Sequence, residues 1–199
     1  MNEIHPNFLS AEECEWFIRF FERNKSETRV EDGLDRGGTT PYRVLDLYDF
    51  VHRSYEVKYL LAQLTRLCPV PNSFVEYFQI VRRTEGNELT RHIDFEDMVY
   101  SGIVYLNDRY EGGRTYLEIG SEQTVIVPEI GKAIGFDGAR IPHGIFPVTK
   151  GIRFAVSCWW KTMDWVPADV AAALTRTPMR LQDPMFLSEK QNPDFPYAD

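Results

Sequence analysis

His143-Gly144-Ile145-Phe146-Pro147-Val148-Thr149-Lys150-Gly151-Ile152-Arg153-Phe154-Ala155-Val156-Ser157-Cys158-Trp159-Trp160 is the stretch that decides the architecture. It reads as two β-type runs, 144–148 and 153–160, separated by a short turn. Working back toward the N-terminus, runs of the same kind recur at 74–81, 99–106, 115–119, 124–127 and 132–136. Glu111-Gly112-Gly113 and Asp137-Gly138 supply turns between them. The first third of the chain is different. Ser10-Ala11-Glu12-Glu13 has the form of a capping box, opening a helix to about Asn24 that buries Phe17, Phe20 and Phe21. A second helix over 54–67 sets Val57, Leu60, Leu61 and Leu64 at helical spacing and is stopped by Pro69 and Pro71. Between them, 29–40 is charged and glycine-rich and reads as a loop. Two helices followed by at least seven strands predict a β-sandwich or barrel backed by helices.

No repeat, linker or low-complexity tract divides the 199 residues, so one domain spanning 1–199 is expected, with a core over about 5–161 and a C-terminal extension over 162–199. A short helix over 168–174 is expected in that extension, which reads as a packed segment or a partner contact. Hydrophobic residues make up 43% and no apolar run approaches the roughly 20 residues of a membrane helix. The net charge is -8, from 30 acidic against 22 basic residues. That field repels phosphate backbones and anionic membranes, so neither nucleic acid nor a membrane is the expected partner. Cys14, Cys68 and Cys158 are odd in number, lack metal-site spacing and read as reduced thiols. With no basic-then-apolar leader in view, a cytoplasmic location is expected.

The chemistry lies in His92-Ile93-Asp94 and His143. In an extended segment residues i and i+2 project to one side, so an imidazole and a carboxylate can share a metal. Two imidazoles and one carboxylate leave open positions on an octahedral ion, the arrangement of non-haem Fe(II) oxygenases. A His-x-Asp triplet alone also arises by chance as a surface or capping pair. Arg153 adds a second signal, because a guanidinium opening so apolar a run needs a partner if it points inward, and its planar fork suits a carboxylate.

Taken in order, His92-x-Asp94, Tyr105-Leu106-Asn107, Glu111-Gly112-Gly113-Arg114-Thr115 and His143-x-x-x-Pro147-Val148-Thr149-x-Gly151-x-Arg153 resemble the prolyl 4-hydroxylase type of the Fe(II)/2-oxoglutarate-dependent dioxygenase superfamily. Phe8-Leu9-Ser10-Ala11-Glu12-Glu13-Cys14 resembles that group's first helix. The resemblance implies a mainly β fold with flanking helices around a double-stranded β-helix (jelly-roll, cupin-like) core. It implies Fe(II) held by His92, Asp94 and His143, with 2-oxoglutarate and O2 as co-substrates and ascorbate as an accessory reductant. Arg153 matches the residue that pairs the distal carboxylate of 2-oxoglutarate. Tyr105 matches a tyrosine that bonds the same carboxylate in some relatives, and Thr115 lines the same pocket. Where relatives carry a tyrosine before the first histidine, this chain has Arg82 and Arg83. Gln79 or one of these arginines then replaces the missing hydrogen bond, or the arginines face the substrate, or they form a solvated pair at a strand end.

The implied reaction is hydroxylation of an unactivated C–H bond in an amino acid, an amino-acid-derived metabolite or a peptidyl residue such as proline, with release of succinate and CO2. A small-molecule or peptide substrate is the expected partner; the oligomeric state is left open. Halogenase relatives have a small residue in the place of Asp94, so the carboxylate argues for hydroxylation. Desaturation or cyclisation by the same chemistry, and a non-catalytic jelly-roll binding module, are the alternatives.

Overall fold

The computed structural model describes residues 2–31 and 41–162. Ser10 caps α1 (Ala11–Arg23): its Oγ accepts from the Glu13 amide while the Glu13 carboxylate accepts from the Ser10 amide. Ser54 caps α2 (Tyr55–Leu64) by accepting from the Val57 amide. That helix stops at Leu64, three residues short of the sequence expectation, although Leu67 stays buried behind it.

Among the described residues the strands are β1 (Asn2–His5), β2 (Arg29–Glu31), β3 (Tyr42–Asp46), β4 (Ser73–Arg83), β5 (Leu89–His92), β6 (Tyr100–Tyr105) and β7 (Glu111–Gly112). Then come β8 (Thr115–Ile119), β9 (Glu122–Ile126), β10 (Ala133–Phe136), β11 (His143–Ile145), β12 (Val148–Lys150) and β13 (Arg153–Thr162). A seven-stranded sheet runs β1-β10-β6-β13-β4-β3-β2, and a four-stranded sheet runs β5-β11-β8-β9. β7 and β12 form a separate ladder. Every pairing is antiparallel. This is the mainly β, double-stranded β-helix architecture with flanking helices.

Alternation along the central strands divides the large sheet into two faces. Phe78 and Ile80 of β4, and Phe154, Val156, Cys158 and Trp160 of β13, pack against Phe17, Phe20 and Phe21 of α1 and Val57, Leu60 and Leu64 of α2. Fully burying a phenylalanine such as Phe21 contributes roughly 1.5–3 kcal/mol, so this layer anchors the sheet from behind. The other face meets the small sheet through Ile103, Tyr105, Ile134, Phe136 and Ala155 against Leu117 and Ile126. The candidate site opens beside this second layer.

Several sequence expectations change. The segment 29–40 does not begin as a loop, because Arg29–Glu31 pairs with Tyr42–Asp46 and extends the large sheet. The run 144–148 is two strands in two different sheets, since Pro147 has no amide hydrogen to continue a ladder. Glu111–Gly112 is a short strand as well as a turn. β1 joins the large sheet ahead of the expected core boundary, and β13 runs on to Thr162. The expected helix over 168–174, residues 163–199 of the extension and residues 32–40 lie outside the described residues.

Candidate metal centre and co-substrate pocket

His92 ends β5 and His143 opens β11, and the two are Cα partners across the ladder. Their rings lie 4.3 Å apart, centroid to centroid. Asp94 sits just past the end of β5, where its amide donates to the Gly138 carbonyl at 2.8 Å. One ligand atom from each of the three residues falls within 4.8 Å of the others. The His92 Nε2 lies 3.7 Å from Oδ1 of Asp94, and the His143 Nε2 lies 3.6 Å from Oδ2.

The tautomers follow from backbone contacts. Nδ1 of His92 is 2.8 Å from the Thr90 carbonyl, and Nδ1 of His143 is 2.9 Å from the Ile141 carbonyl. A carbonyl can only accept, so each Nδ1 carries the hydrogen, and in the neutral imidazole each Nε2 then keeps its lone pair. Two lone pairs and a carboxylate converging in a nearly buried space repel one another unless a cation lies between them. The donor set therefore fits a divalent metal, and two imidazoles plus one carboxylate fit Fe(II).

Two donors fix the carboxylate. Ser101 Oγ donates to Oδ2 of Asp94 at 2.5 Å and Trp159 Nε1 donates to the same oxygen at 3.1 Å. Ser101 and Trp159 are register partners on β6 and β13, so neighbouring strands present both groups to one face. Sequence reading had missed both residues. The available signal was the alternation in the run 153–160, which puts Arg153, Ala155, Ser157 and Trp159 together on one side.

The triad opens into a cavity of about 920 Å³. Gln79, Val81 and Arg83 of β4 line it, as do Thr115, Ser157 and Trp159. Arg153 is 1% exposed, and its guanidinium carbon lies 5.4 Å from the ring centre of Tyr105. Its Nε and Nη2 are buried with no hydrogen-bond partner among the described residues. Tyr105 donates its hydroxyl to Thr115 Oγ1 at 2.8 Å. Burial pushes the Tyr105 hydroxyl up to about 12 against the opposing pull of Arg153, so it stays a donor at neutral pH. Arg153, Tyr105 and Thr115, singled out separately in the sequence, thus form one buried group.

The remaining candidates divide. Gln79 lines the cavity and its Oε1 accepts from Arg29 Nη2 at 2.8 Å. Arg83 also lines the cavity, with its guanidinium carbon 4.0 Å from the ring centre of Tyr42. Arg82 is a correction. One residue's offset turns it to the opposite face of β4, toward the helical layer, where its Nε lies 3.5 Å from a Glu22 carboxylate oxygen of α1. It contributes nothing to the cavity wall.

Residues 78–161, from β4 through β13, match the 2OG-Fe(II) oxygenase superfamily. The match covers this segment, 84 of the 199 residues. The family's co-substrates are 2-oxoglutarate and O2 at Fe(II), and the triad, Arg153, Tyr105 and Thr115 all fall inside the matched oxygenase segment. The chain is 34% identical over 109 residues to prolyl 3-hydroxylase 1 of Homo sapiens, across 49% of this chain and 15% of that protein. The chain therefore spans a small part of the curated relatives it matches. Its fold is similar to that of a prolyl hydroxylase from Trichoplax adhaerens in complex with a hypoxia inducible factor peptide fragment. That similarity has a TM-score of 0.65 and 19% identity, over 88% of this chain and 87% of that one. It is similar also to HygX from Streptomyces hygroscopicus with nickel, 2-oxoglutarate and hygromycin B bound, with a TM-score of 0.63 and 16% identity, over 82% of this chain and 83% of that one. No helix among the described residues is long and apolar enough to cross a membrane.

Proposed function

We propose that this chain is an Fe(II)- and 2-oxoglutarate-dependent hydroxylase acting on a C–H bond of a peptidyl residue, such as proline, or of a related amino-acid derivative. The observation that carries the proposal is the convergence of the His92, Asp94 and His143 ligand atoms within 4.8 Å, with both histidine Nδ1 atoms committed to backbone carbonyls. Fe(II) with 2-oxoglutarate and O2 would supply the oxidising chemistry there, with succinate and CO2 as by-products.

The protein's own part is placement. His92, Asp94 and His143 would hold the metal from one side and leave the cavity side open to ligands. Thr115 lies two residues along β8 from Leu117, the partner of His143, a rise of about 7 Å. Thr115, Tyr105 and Arg153 therefore stand at a distance from the metal that suits the far carboxylate of a five-carbon diacid. Arg153 would pair that carboxylate and Tyr105 would hold Thr115 in place. The cavity has room for a substrate beside the co-substrate. The prolyl hydroxylase relatives support a peptide. Asp94, fixed by Ser101 and Trp159, occupies the position that a halide would need, which supports oxygen insertion over halogenation. Three free cysteines fit a reducing, cytoplasmic setting, and the acidic charge fits a protein that avoids nucleic acid.

The test is anaerobic titration with Fe(II) and then 2-oxoglutarate, watching for the weak visible absorbance their complex produces. A screen of proline-containing peptides for succinate release coupled to product mass would follow. Absence of the absorbance in protein that binds metal would overturn the proposal. A desaturated or cyclised main product would move the chain to the alternative outcome.

A further inference from the structure

Gln79 of β4 is a polar residue on the cavity wall, and only 9% of it is exposed. Arg29 Nη2 lies 2.8 Å from its side-chain oxygen. A guanidinium only donates, so this contact fixes which end of the amide is oxygen and commits that end to Arg29. The Nε2 end, with its two N–H donors, is the part left for the cavity. Arg29 is itself held, with Nε 2.9 Å from a Glu31 carboxylate oxygen and Nη1 3.5 Å from one of Asp46. Tyr42 donates to the other Glu31 oxygen at 2.7 Å. Strands β2, β3 and β4 thus combine to orient one carboxamide.

Register sets that carboxamide near the metal centre. Gln79 pairs with Ser157 of β13, which pairs in turn with Ile103 of β6. The adjacent row on the same face is Tyr77, Trp159 and Ser101, a rise of about 7 Å away, and it carries both donors to Asp94 Oδ2. Arg83 lies in the opposite direction, four residues or roughly 13 Å along β4. The charges beside the amide are one guanidinium between two carboxylates, an excess of one negative charge. Lys161 also lines the cavity, but Asp97 at 2.9 Å and Glu76 at 3.4 Å take up its charge. A neutral donor in such surroundings suits an uncharged carbonyl oxygen and disfavours a further carboxylate.

We infer that Gln79 is a substrate-orienting residue whose amide, held by Arg29, donates to a backbone carbonyl oxygen and so selects a residue within a peptide over a free amino acid. The inference rests on the hydroxylase reading and names the substrate form for that same site. A free amino acid brings a carboxylate to the place where a peptide brings a neutral carbonyl. Arg29 is a positioning residue that acts through Gln79.

The test is succinate release by Fe(II)-loaded protein at saturating 2-oxoglutarate. One arm supplies a mixture of tripeptides acetylated and amidated at their ends, with each common amino acid at the centre; the other supplies the same amino acids free. The blocked tripeptides should stimulate release at least tenfold more, and product mass identifies the hydroxylated one. For that peptide Gln79→Met, similar in length and without donors, should raise KM at least tenfold, while 2-oxoglutarate binding to the zinc form stays within twofold of wild type. Arg29→Met should raise the peptide KM at least threefold, and Arg29→Lys, which keeps a donor, should recover part of that. The Arg29 side chain is half exposed, so its variants carry the test if Gln79→Met fails to fold. Equal stimulation by free amino acids, a peptide KM within twofold of wild type in the folded variants, or a matching loss of 2-oxoglutarate affinity overturns the inference. Stimulation by neither mixture overturns it as well, and the absorbance of the wild-type Fe(II) and 2-oxoglutarate complex then decides the hydroxylase reading separately.

Discussion

The Gly138 carbonyl accepts the amide hydrogen of Asp94 at 2.8 Å, and a β-carbon on Gly138 would fall inside the carboxylate of the same residue and against Ser101 Oγ. The turn that pins the Asp94 backbone also leaves the space its side chain fills. Gly138→Ala is therefore expected to displace the carboxylate. Cobalt(II) affinity should drop at least tenfold, with a stability loss of about 1–3 kcal/mol from overpacking. A cobalt titration and a urea melt check it, and wild-type metal affinity in the variant would show that Asp94 has room to spare.

The metal centre itself makes a direct prediction. His92→Ala, Asp94→Ala and His143→Ala should each lose metal binding and activity, and a chelator should reproduce the loss in the unmodified protein. Because a metal held only by the folded state stabilises it, saturating metal at about 100 times its dissociation constant should add about 2.7 kcal/mol. That increment should be absent from all three variants in a melt with and without metal. A full increment in His143→Ala would remove this residue from the ligand set.

Arg153→Ala should weaken 2-oxoglutarate far more than it weakens metal. Loss of one side of a buried carboxylate pair commonly costs ~2–5 kcal/mol, or roughly 30- to several-thousand-fold in affinity. Arg153→Lys should recover part. Equilibrium binding of 2-oxoglutarate to the zinc form is the measurement, and an unchanged value in Arg153→Ala would shift the role to another cation of the cavity.

What was legible in the sequence, and what was not, follows from how local each signal is. The Ser10–Glu13 capping box and the strand over 115–119 are written in neighbouring residues, and both stand as read. His92, Asp94 and His143 stand out in the sequence by residue type and spacing, and the fold brings one ligand atom from each within 4.8 Å of the others. Arg29–Glu31 carries two charges around one valine and shows no apolar alternation, so its strand is set by pairing with β3. The side of the sheet on which Arg82 and Arg83 fall depends on a register that a run of mixed residues leaves open by one position. Trp159 and Ser101 meet at Asp94 only because β13 and β6 are neighbours, a fact of topology.

The cysteines give a pH prediction. Burial, with Glu13 adding, pushes the Cys14 thiol up to about 12, and burial raises Cys158 as well. Cys68, half-buried, is also raised by burial. A folded state that prefers the neutral thiol is fully supported below the unfolded value of about 8.5 and loses that support as pH climbs from there toward about 12 for Cys14. Native protein at pH 8 should be alkylated at Cys68 first, with Cys14 and Cys158 modified only after denaturation. Peptide mass mapping reads the order, and early labelling of Cys158 would contradict its burial.

Trp159 supplies the last prediction. Its indole donates to Oδ2 of Asp94, the same oxygen that Ser101 holds, which leaves Oδ1 facing the His92 Nε2. Trp159→Phe keeps an aromatic ring in the cavity wall and removes one donor, so the carboxylate gains a rotation that the bond from Ser101 must help restrain. Removing an outer hydrogen bond of this kind typically costs about 10- to 100-fold in metal affinity. The loss should be larger in Ser101→Ala/Trp159→Phe than in either single variant. Binding of 2-oxoglutarate to the metal-saturated variant should stay near wild type, because Arg153 is six residues away along β13. A cobalt(II) visible spectrum separates this positioning role from simple destabilisation, since a loosened carboxylate changes band positions while a merely less stable fold changes only the melting temperature. Unaltered bands and unaltered affinity in the double variant would mean that neither Ser101 nor Trp159 positions the Asp94 carboxylate.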